Sequence, residues 1–266
     1  MDLSIITSIK GRIATITLNR PATRNAFDIE MIRELTSAID RYNADSGVRI
    51  LIFRGNGDHF SAGADLNWMK DGMKLPNEKL LAESLELAEL FRKIYESPHV
   101  TVALVNGNVL GGANGIVAAC DFCLAAEEAR FGLTEVRLGL LPATISPYII
   151  RKTGLARARE LMLTGRVIGA GEARQAGLVS QVCHSAELEA QLGELTRTLL
   201  NNGPEALRGV KSLLRSIEDR EIDQTLSAGT AEVIARYRMS SEGQEGINAF
   251  LEKRKPDWTA NEQEEL

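Results

Sequence analysis

Val100-Thr101-Val102-Ala103-Leu104-Val105 runs without a break into Asn106-Gly107-Asn108-Val109-Leu110-Gly111-Gly112-Ala113-Asn114-Gly115, and this junction decides the fold. The first six residues are apolar and mostly β-branched, the composition of a strand buried on both faces. The next ten hold four glycines and three asparagines, and they lead into an apolar stretch, Ile116–Cys120, that reads as helix. A buried strand passing through a small-residue loop into a helix is a building unit of α/β proteins. Small residues at such a junction leave main-chain N–H groups unpaired and approachable. No formally charged residue occurs from Ser97 to Cys120. Glycine backbone and asparagine amides would nevertheless be costly in lipid, so the stretch reads as protein interior and not as a membrane span.

The same pattern occurs upstream. Val48–Phe53 reads as a second buried strand, bounded by Gly55, Asn56 and Gly57, and it precedes a second small-residue loop, Phe60-Ser61-Ala62-Gly63-Ala64-Asp65-Leu66. Ile13–Leu18 alternates apolar and polar residues as a half-buried strand does, ending at Asn19-Arg20-Pro21. Asp28–Asn43 carries Ile32, Leu35 and Ile39 at helical spacing, with Asp28 as N-cap and Glu30 in the first turn. A longer helix is predicted over Glu78–Tyr95, with Leu81, Leu85, Ala88, Phe91 and Tyr95 on one face and Pro98 as its stop. Downstream, Phe122–Ala125 and Leu178–Val182 read as short strands and Ala156–Thr164 as a helix. From His184 to about Lys255 the chain reads as helical, broken at Gly203-Pro204 and Ser240–Gly243. The expected division is an α/β core over 1–195 and a helical region over 196–266, with the acidic tail Asn261–Leu266 frayed.

Composition narrows the chemistry. With 266 residues, 44% hydrophobic and 25% charged, the chain has ample material for a large core. A net charge of -5 and only 5% aromatic residues speak against a nucleic-acid partner, and Lys253-Arg254-Lys255 reads as a solvated helix end. Cys120 and Cys123 have C-x-x-C spacing but no second pair, so the three cysteines read as buried thiols in a reducing, cytoplasmic setting. The opening residues show neither a basic-apolar leader nor an Arg-rich one. His59, His99 and His184 lack metal-ligand spacing, and no nucleophile elbow, Walker loop or dinucleotide fingerprint is present. Two glycine-bearing loops remain, each after a strand. One N–H from each would suit the oxygen of a polarised carbonyl, although two closely packed tight turns would produce the same pattern.

Phe60–Asp65, Asn106–Gly112, Arg130–Gly139, and Leu163–Gly165 with Ala173–Val182 follow one another in that order. Together with Asn19-Arg20-Pro21 and Asn25-Ala26 they resemble the enoyl-CoA hydratase/isomerase (crotonase) superfamily over essentially the whole chain. The resemblance implies an α/β fold, a crotonase-like spiral of ββα units with a helical C-terminal region. That region would serve assembly as a homotrimer or dimer of trimers. It also implies acyl-CoA substrates, no metal, and no cofactor beyond the coenzyme A carried by the substrate. Position by position, the two oxyanion donors fall on the N–H groups of Ala64 and Gly112, and the catalytic carboxylate on Glu135. Ala62, Asp65 and Leu66 fall along the CoA and pantetheine channel, with Asn25 and Ala26 near the nucleotide end. Read without the resemblance, Glu135 beside Arg130 and Arg137 would be a surface ion pair.

One departure bears on the reaction. Two-carboxylate hydratases carry a first Glu where this chain has Gly115. Proton transfer needs one positioned base, whereas hydration also needs the water held, by Asn114 or by the substrate. A glycine at this position, with Thr134–Pro147, resembles the methylglutaconyl-CoA-type hydratases of leucine and acyclic-terpene breakdown. Isomerisation of 3-enoyl- to 2-enoyl-CoA is the alternative, and a non-catalytic CoA- or RNA-binding member the alternative of another class. A distal carboxylate on the substrate would call for a cation such as Lys70 or Lys74, which also read as an exposed segment.

Overall fold

Ala14, Ile16 and Leu18 alternate inward along β2 (Ile13–Leu18), which pairs antiparallel with β1 (Ile5–Lys10) at the edge of the main sheet. This computed structural model describes residues 3–259, so the tail at 261–266 lies outside the described residues. The chain forms two compact units, a first up to Gly193 and a second from Glu194.

In the first unit, α1 (Ile29–Asn43) starts where Asp28 caps it, its carboxylate accepting from the Met31 N–H at 2.8 Å. Such a cap contributes about 1 kcal/mol, and it sets Ile32, Leu35 and Ile39 into the core. The chain continues through β3 (Ile50–Gly55), α2 (Leu66–Gly72), α3 (Asn77–Tyr95), β4 (Val100–Val105), β5 (Asn108–Leu110) and α4 (Ala113–Ala119). It then forms β6 (Phe122–Ala126), β7 (Arg130–Gly132), a 3-10 turn at Glu135–Leu138 and α5 (Ser146–Thr164). Next come β8 (Val167–Gly169), α6 (Ala170–Gln175), β9 (Gln181–Cys183) and α7 (Leu188–Leu200).

The main sheet has the order β1-β2-β3-β4-β6-β9 and is parallel except at β1–β2; a smaller sheet has the order β5-β7-β8. Twice the chain runs from the main sheet to the small sheet and into a helix, as β4-β5-α4 and as β6-β7-α5. After β3 it does so in outline, because Ser61 makes a single parallel bridge to Val109. This is a spiral of ββα turns, and it stacks the loops of successive turns beside one another.

Several elements differ from the sequence reading. Asn106–Gly115 is not a plain loop, since Asn108–Leu110 forms β5 in register with Arg130–Gly132 and α4 begins at Ala113. A three-residue strand leaves no periodic signal; its pairing is decided by a partner about twenty residues away. Helix α3 buries Leu90, Phe91 and Ile94, while Leu81 and Leu85 stand exposed, so only its C-terminal half packs on the core. Helix α5 begins ten residues earlier than Ala156, and the helix is interrupted at Gly154 (φ 71°, ψ 159°). Cys120, Cys123 and Cys183 are all buried, and burial pushes the Cys123 thiol up to about 12.

In the second unit, α8 (Pro204–Ile217) is capped by the Glu242 carboxylate, which accepts from Glu205 N and Ala206 N at 2.8 Å each. Asp223 and Ser240 cap α9 (Gln224–Met239) and α10 (Ser241–Glu252). Within the basic triplet, Lys253 closes α10 and Arg254 pairs with Glu245 (2.6 Å) and Glu252 (2.7 Å). No helix among the described residues is long and apolar enough to cross a membrane.

Candidate active site

The loop after β3 is held from two sides. Ser61 exchanges main-chain hydrogen bonds with Asn108 (3.0 Å) and Leu110 (3.1 Å), while Ala62 N donates to Arg24 O at 2.9 Å. Gly63 O accepts from Phe27 N, and Asp65 N donates to Phe27 O, both at 2.7 Å. Both neighbours of Ala64 are therefore committed to Phe27. Its own N–H lies on the side away from Phe27, with no main-chain acceptor among the described residues. Gly63 has φ +89°, and a Cβ there would stand 2.6 Å from Leu110 O. Only glycine allows the two loops this contact.

The second loop is fixed to β7. Gly111 N donates to Gly132 O at 2.8 Å, and Gly112 is the N-cap of α4. The Gly112 N–H likewise has no main-chain acceptor among the described residues, and a Cβ on Gly112 would meet nothing within 4 Å. The fully buried Asn114 amide donates to Val109 O (3.2 Å), Gly111 O (3.0 Å) and Gly132 O (3.0 Å). Its amide nitrogen works as a clamp that shapes the loop, while its Oδ1 is buried without a hydrogen-bond partner.

Glu135 opens the 3-10 turn just beyond β7, anchored by the buried Leu133. Its Oε1 lies 3.5 Å from the point a Cβ on Gly111 would occupy, and its Oε2 is buried without a hydrogen-bond partner. The surface ion pair does not form: Arg130 Nη1 donates instead to Glu128 O and Ala129 O, both at 3.1 Å. Burial holds the Glu135 carboxyl above its ordinary range, with a bond from its own backbone N–H opposing the shift. A half-buried carboxyl of this kind, with no charge partner, is the sort of group that serves as an acid or base.

Gly115 faces elsewhere. A Cβ there would stand 2.5 Å from Ile145 Cγ2 and 2.6 Å from two ring carbons of the fully buried Phe91. The place where a second acid would project is filled by core side chains.

The remaining sequence-predicted residues divide in two. Leu66 is exposed at the mouth of a cleft of about 650 Å³ between α2, α3 and the turn after Glu135, whose walls include Met69, Met73, Leu80, Leu138 and Leu140. Lys70 lines this cleft, whereas Lys74 makes an exposed pair with Asp71 at 3.1 Å. Across the cleft Trp68 Nε1 donates to Glu83 Oε2 at 2.7 Å, tying α2 to α3. Ala62 is half-buried within the first donor loop. Asn25, by contrast, is wholly buried, with φ 55°. Its amide donates to Asn56 O (2.9 Å) and His59 O (2.8 Å) and accepts from Arg20 N (2.9 Å). Ala26 is buried beside it, and Asp65 caps α2. These three residues support the loop from beneath. The sequence reading did not single out the cleft, because its walls are apolar residues scattered over three elements.

Two free N–H groups on touching loops, with an unpartnered carboxyl against one of them, can hold the oxygen of a carbonyl and shuttle a proton next to it. Residues 8–261 match the family model described as enoyl-CoA hydratase/isomerase. The chain belongs to the enoyl-CoA hydratase/isomerase family. The crystal structure of an enoyl-CoA hydratase from Shewanella pealeana matches it with a TM-score of 0.93 and 41% identity over 96% of both chains. The 2,3-dehydroadipyl-CoA hydratase of Escherichia coli is 34% identical, covering 96% of this chain and 98% of that protein. The crotonyl-CoA hydratase of Syntrophomonas wolfei is 32% identical over 96% and 97%, respectively. This family member is thus a crotonase-fold enzyme of the hydro-lyase type, with enoyl-CoA hydratase/isomerase activity.

Proposed function

We propose that the enzyme adds water across the double bond of an enoyl-CoA thioester bearing a second carboxylate, of the 3-methylglutaconyl-CoA type. The observation that carries this reading is the buried, unpartnered Glu135 carboxyl beside the Gly111–Gly112 donor loop. The N–H groups of Ala64 and Gly112 bind the thioester oxygen and draw electron density from the double bond. Glu135, as carboxylate, takes a proton from water while the water oxygen bonds to C3, leaving an enolate on the thioester. The same carboxyl then returns the proton to C2 and the carbonyl reforms. No electron leaves the system, and coenzyme A travels as part of the substrate. Ala62, Asp65 and Leu66 flank the donor where the pantetheine would pass, with Asn25 and Ala26 beneath the nucleotide end.

The cleft supports the second carboxylate. Its walls are apolar apart from a few groups, and Lys70 supplies a cation at its margin. The name of the Escherichia coli relative denotes an acyl group that itself ends in a carboxylate. A second reading, isomerisation of a 3-enoyl-CoA, draws on the packing around Gly115, which leaves one acid/base where a water-gripping pair would need two. Incubation with crotonyl-CoA, 3-methylglutaconyl-CoA and a 3-enoyl-CoA, followed by mass analysis, separates the two. A gain of one water marks hydration; an unchanged mass with a new chromatographic peak marks isomerisation. Faster turnover of crotonyl-CoA than of the carboxylated substrate would overturn the substrate assignment. Assembly as a trimer or dimer of trimers belongs to the same reading, supported by exposed Phe250 and Leu251 on the helical unit, and is tested by mass in solution.

A further inference from the structure

Arg20 lies at the centre of a small network directly behind the first donor loop. Its Nη1 donates to Ala26 O at 2.8 Å and pairs with Asp28 Oδ2 at 2.7 Å, and its Nη2 reaches Asp65 Oδ2 at 3.0 Å. Each carboxylate has a second task. Asp28 Oδ1 caps α1 through Met31 N (2.8 Å), and Asp65 Oδ1 caps α2 through Asn67 N (2.8 Å). One guanidinium therefore ties two helix N-caps and the strand-like segment Ala26–Asp28 together. Phe27, in the middle of that segment, bonds to both neighbours of Ala64. The Arg20 backbone closes the network, because Asn25 N donates to Arg20 O (2.8 Å) while Arg20 N donates to the Asn25 side chain (2.9 Å).

We propose that Arg20 is a positioning residue for the Ala64 N–H, setting the direction of that donor through Asp65 on one flank and the Ala26–Asp28 segment on the other. This rests on the reading of Ala64 as a donor to the thioester oxygen. The physical requirement is orientation. Two donors stabilise an oxyanion only when both aim at the place it will occupy. The Ala64 segment is not part of a regular strand; it is held by single bridges to Phe27 and Val109 and by isolated hydrogen bonds such as Ala62 N to Arg24 O. A planar fork suits the task, since its nitrogens hold Asp28 and Asp65 at fixed relative positions; an ammonium on a flexible stem does not.

The test uses Arg20→Ala, Arg20→Lys and the milder Asp65→Asn, which keeps a capping side chain but removes the charge facing Arg20. Arg33→Gln, which breaks an exposed pair with Glu86 on α3, serves as control. For each soluble variant, kcat and KM are measured on the best substrate, together with the red shift of a conjugated dienoyl-CoA on binding, which reports polarisation of its carbonyl. The expected result is a kcat lower by roughly 10- to 100-fold in Arg20→Ala, with KM within a few-fold and the red shift reduced by more than half. Arg20→Lys should recover little of this, Asp65→Asn should move the same way by less, and Arg33→Gln should match the wild type. Retention of both kcat and red shift in Arg20→Ala would overturn the role of Arg20. If Arg20→Ala does not fold, the same retention in Asp65→Asn would overturn it. A wild-type enzyme that binds the dienoyl-CoA with no red shift would overturn the donor reading itself, a distinct outcome.

Discussion

Gly112 and Gly115 sit one turn apart at the start of α4, chemically identical and separated by two residues, yet their surroundings are opposite. A Cβ on Gly112 would meet nothing within 4 Å, whereas one on Gly115 would press into Phe91 and Ile145 at 2.5 to 2.6 Å. Position 112 borders open space on the loop whose neighbouring Gly111 faces Glu135. Gly115 closes space on the side where α3 and the start of α5 meet α4. One glycine thus provides access for a ligand and the other allows close packing of core side chains. The absence of a second acid is therefore built into the core, and Phe91 would have to move before a longer side chain could stand at position 115.

The largest effect is expected on the open side. Glu135→Gln should lower turnover by about 10²- to 10⁴-fold while the fold stays intact, measured as initial rate beside a thermal melt. Wild-type turnover on every enoyl-CoA offered would break the assignment of Glu135. The same variant tests the electrostatics. Because burial raises the folded-state pKa of Glu135, the native state binds more protons than the unfolded chain between the ordinary and the raised values. Stability should accordingly fall as pH rises through that window and level off above the folded pKa, whereas activity as a base should rise. Glu135→Gln should remove both dependences, which melts and rate profiles across acid to neutral pH would reveal.

On the closed side, Gly115→Ala should destabilise the protein by about 1–3 kcal/mol through overpacking, read from chemical denaturation. A neutral result would show that Phe91 and Ile145 yield easily, and would reopen the question of a second acid there. Asn114→Ala lies between the two glycines and removes two N–H donors shared among three carbonyls. At about 1 kcal/mol for each donor it should cost about 2 kcal/mol, with a rise in KM because the loop carrying Gly112 loosens. The smallest effect belongs to Gly112→Ala, which retains the N–H and meets no atom. Its stability should stay within about 1 kcal/mol of the wild type, and any loss should appear in KM. A large stability loss there would show that neighbouring groups crowd position 112.

Local patterns carry their information in a few residues, and those elements were readable. Ile13–Leu18 and Val100–Val105 emerge with the bounds their alternation and burial pattern predict, and Asp28 caps α1 as its position suggests. The ordered small-residue motifs were enough to indicate the family. Glu135 was singled out through that resemblance, because a glutamate between two arginines carries no sign that its charge will be left without a partner.

What the chain order encodes here is short-range: period, caps, and which residues are small enough for a loop to approach another loop. Those features depend on backbone sterics and on neighbours three or four positions away. The absence of an ion pair at Glu135, the use of Asn114 as a clamp, the burial of Asn25 and the contrast between Gly112 and Gly115 all depend on segments that meet from far apart in sequence. Phe91, Ile145 and Gly115 lie on three different helices or their caps. Nothing within a local window records their contact, because packing and desolvation are properties of the space that folding creates.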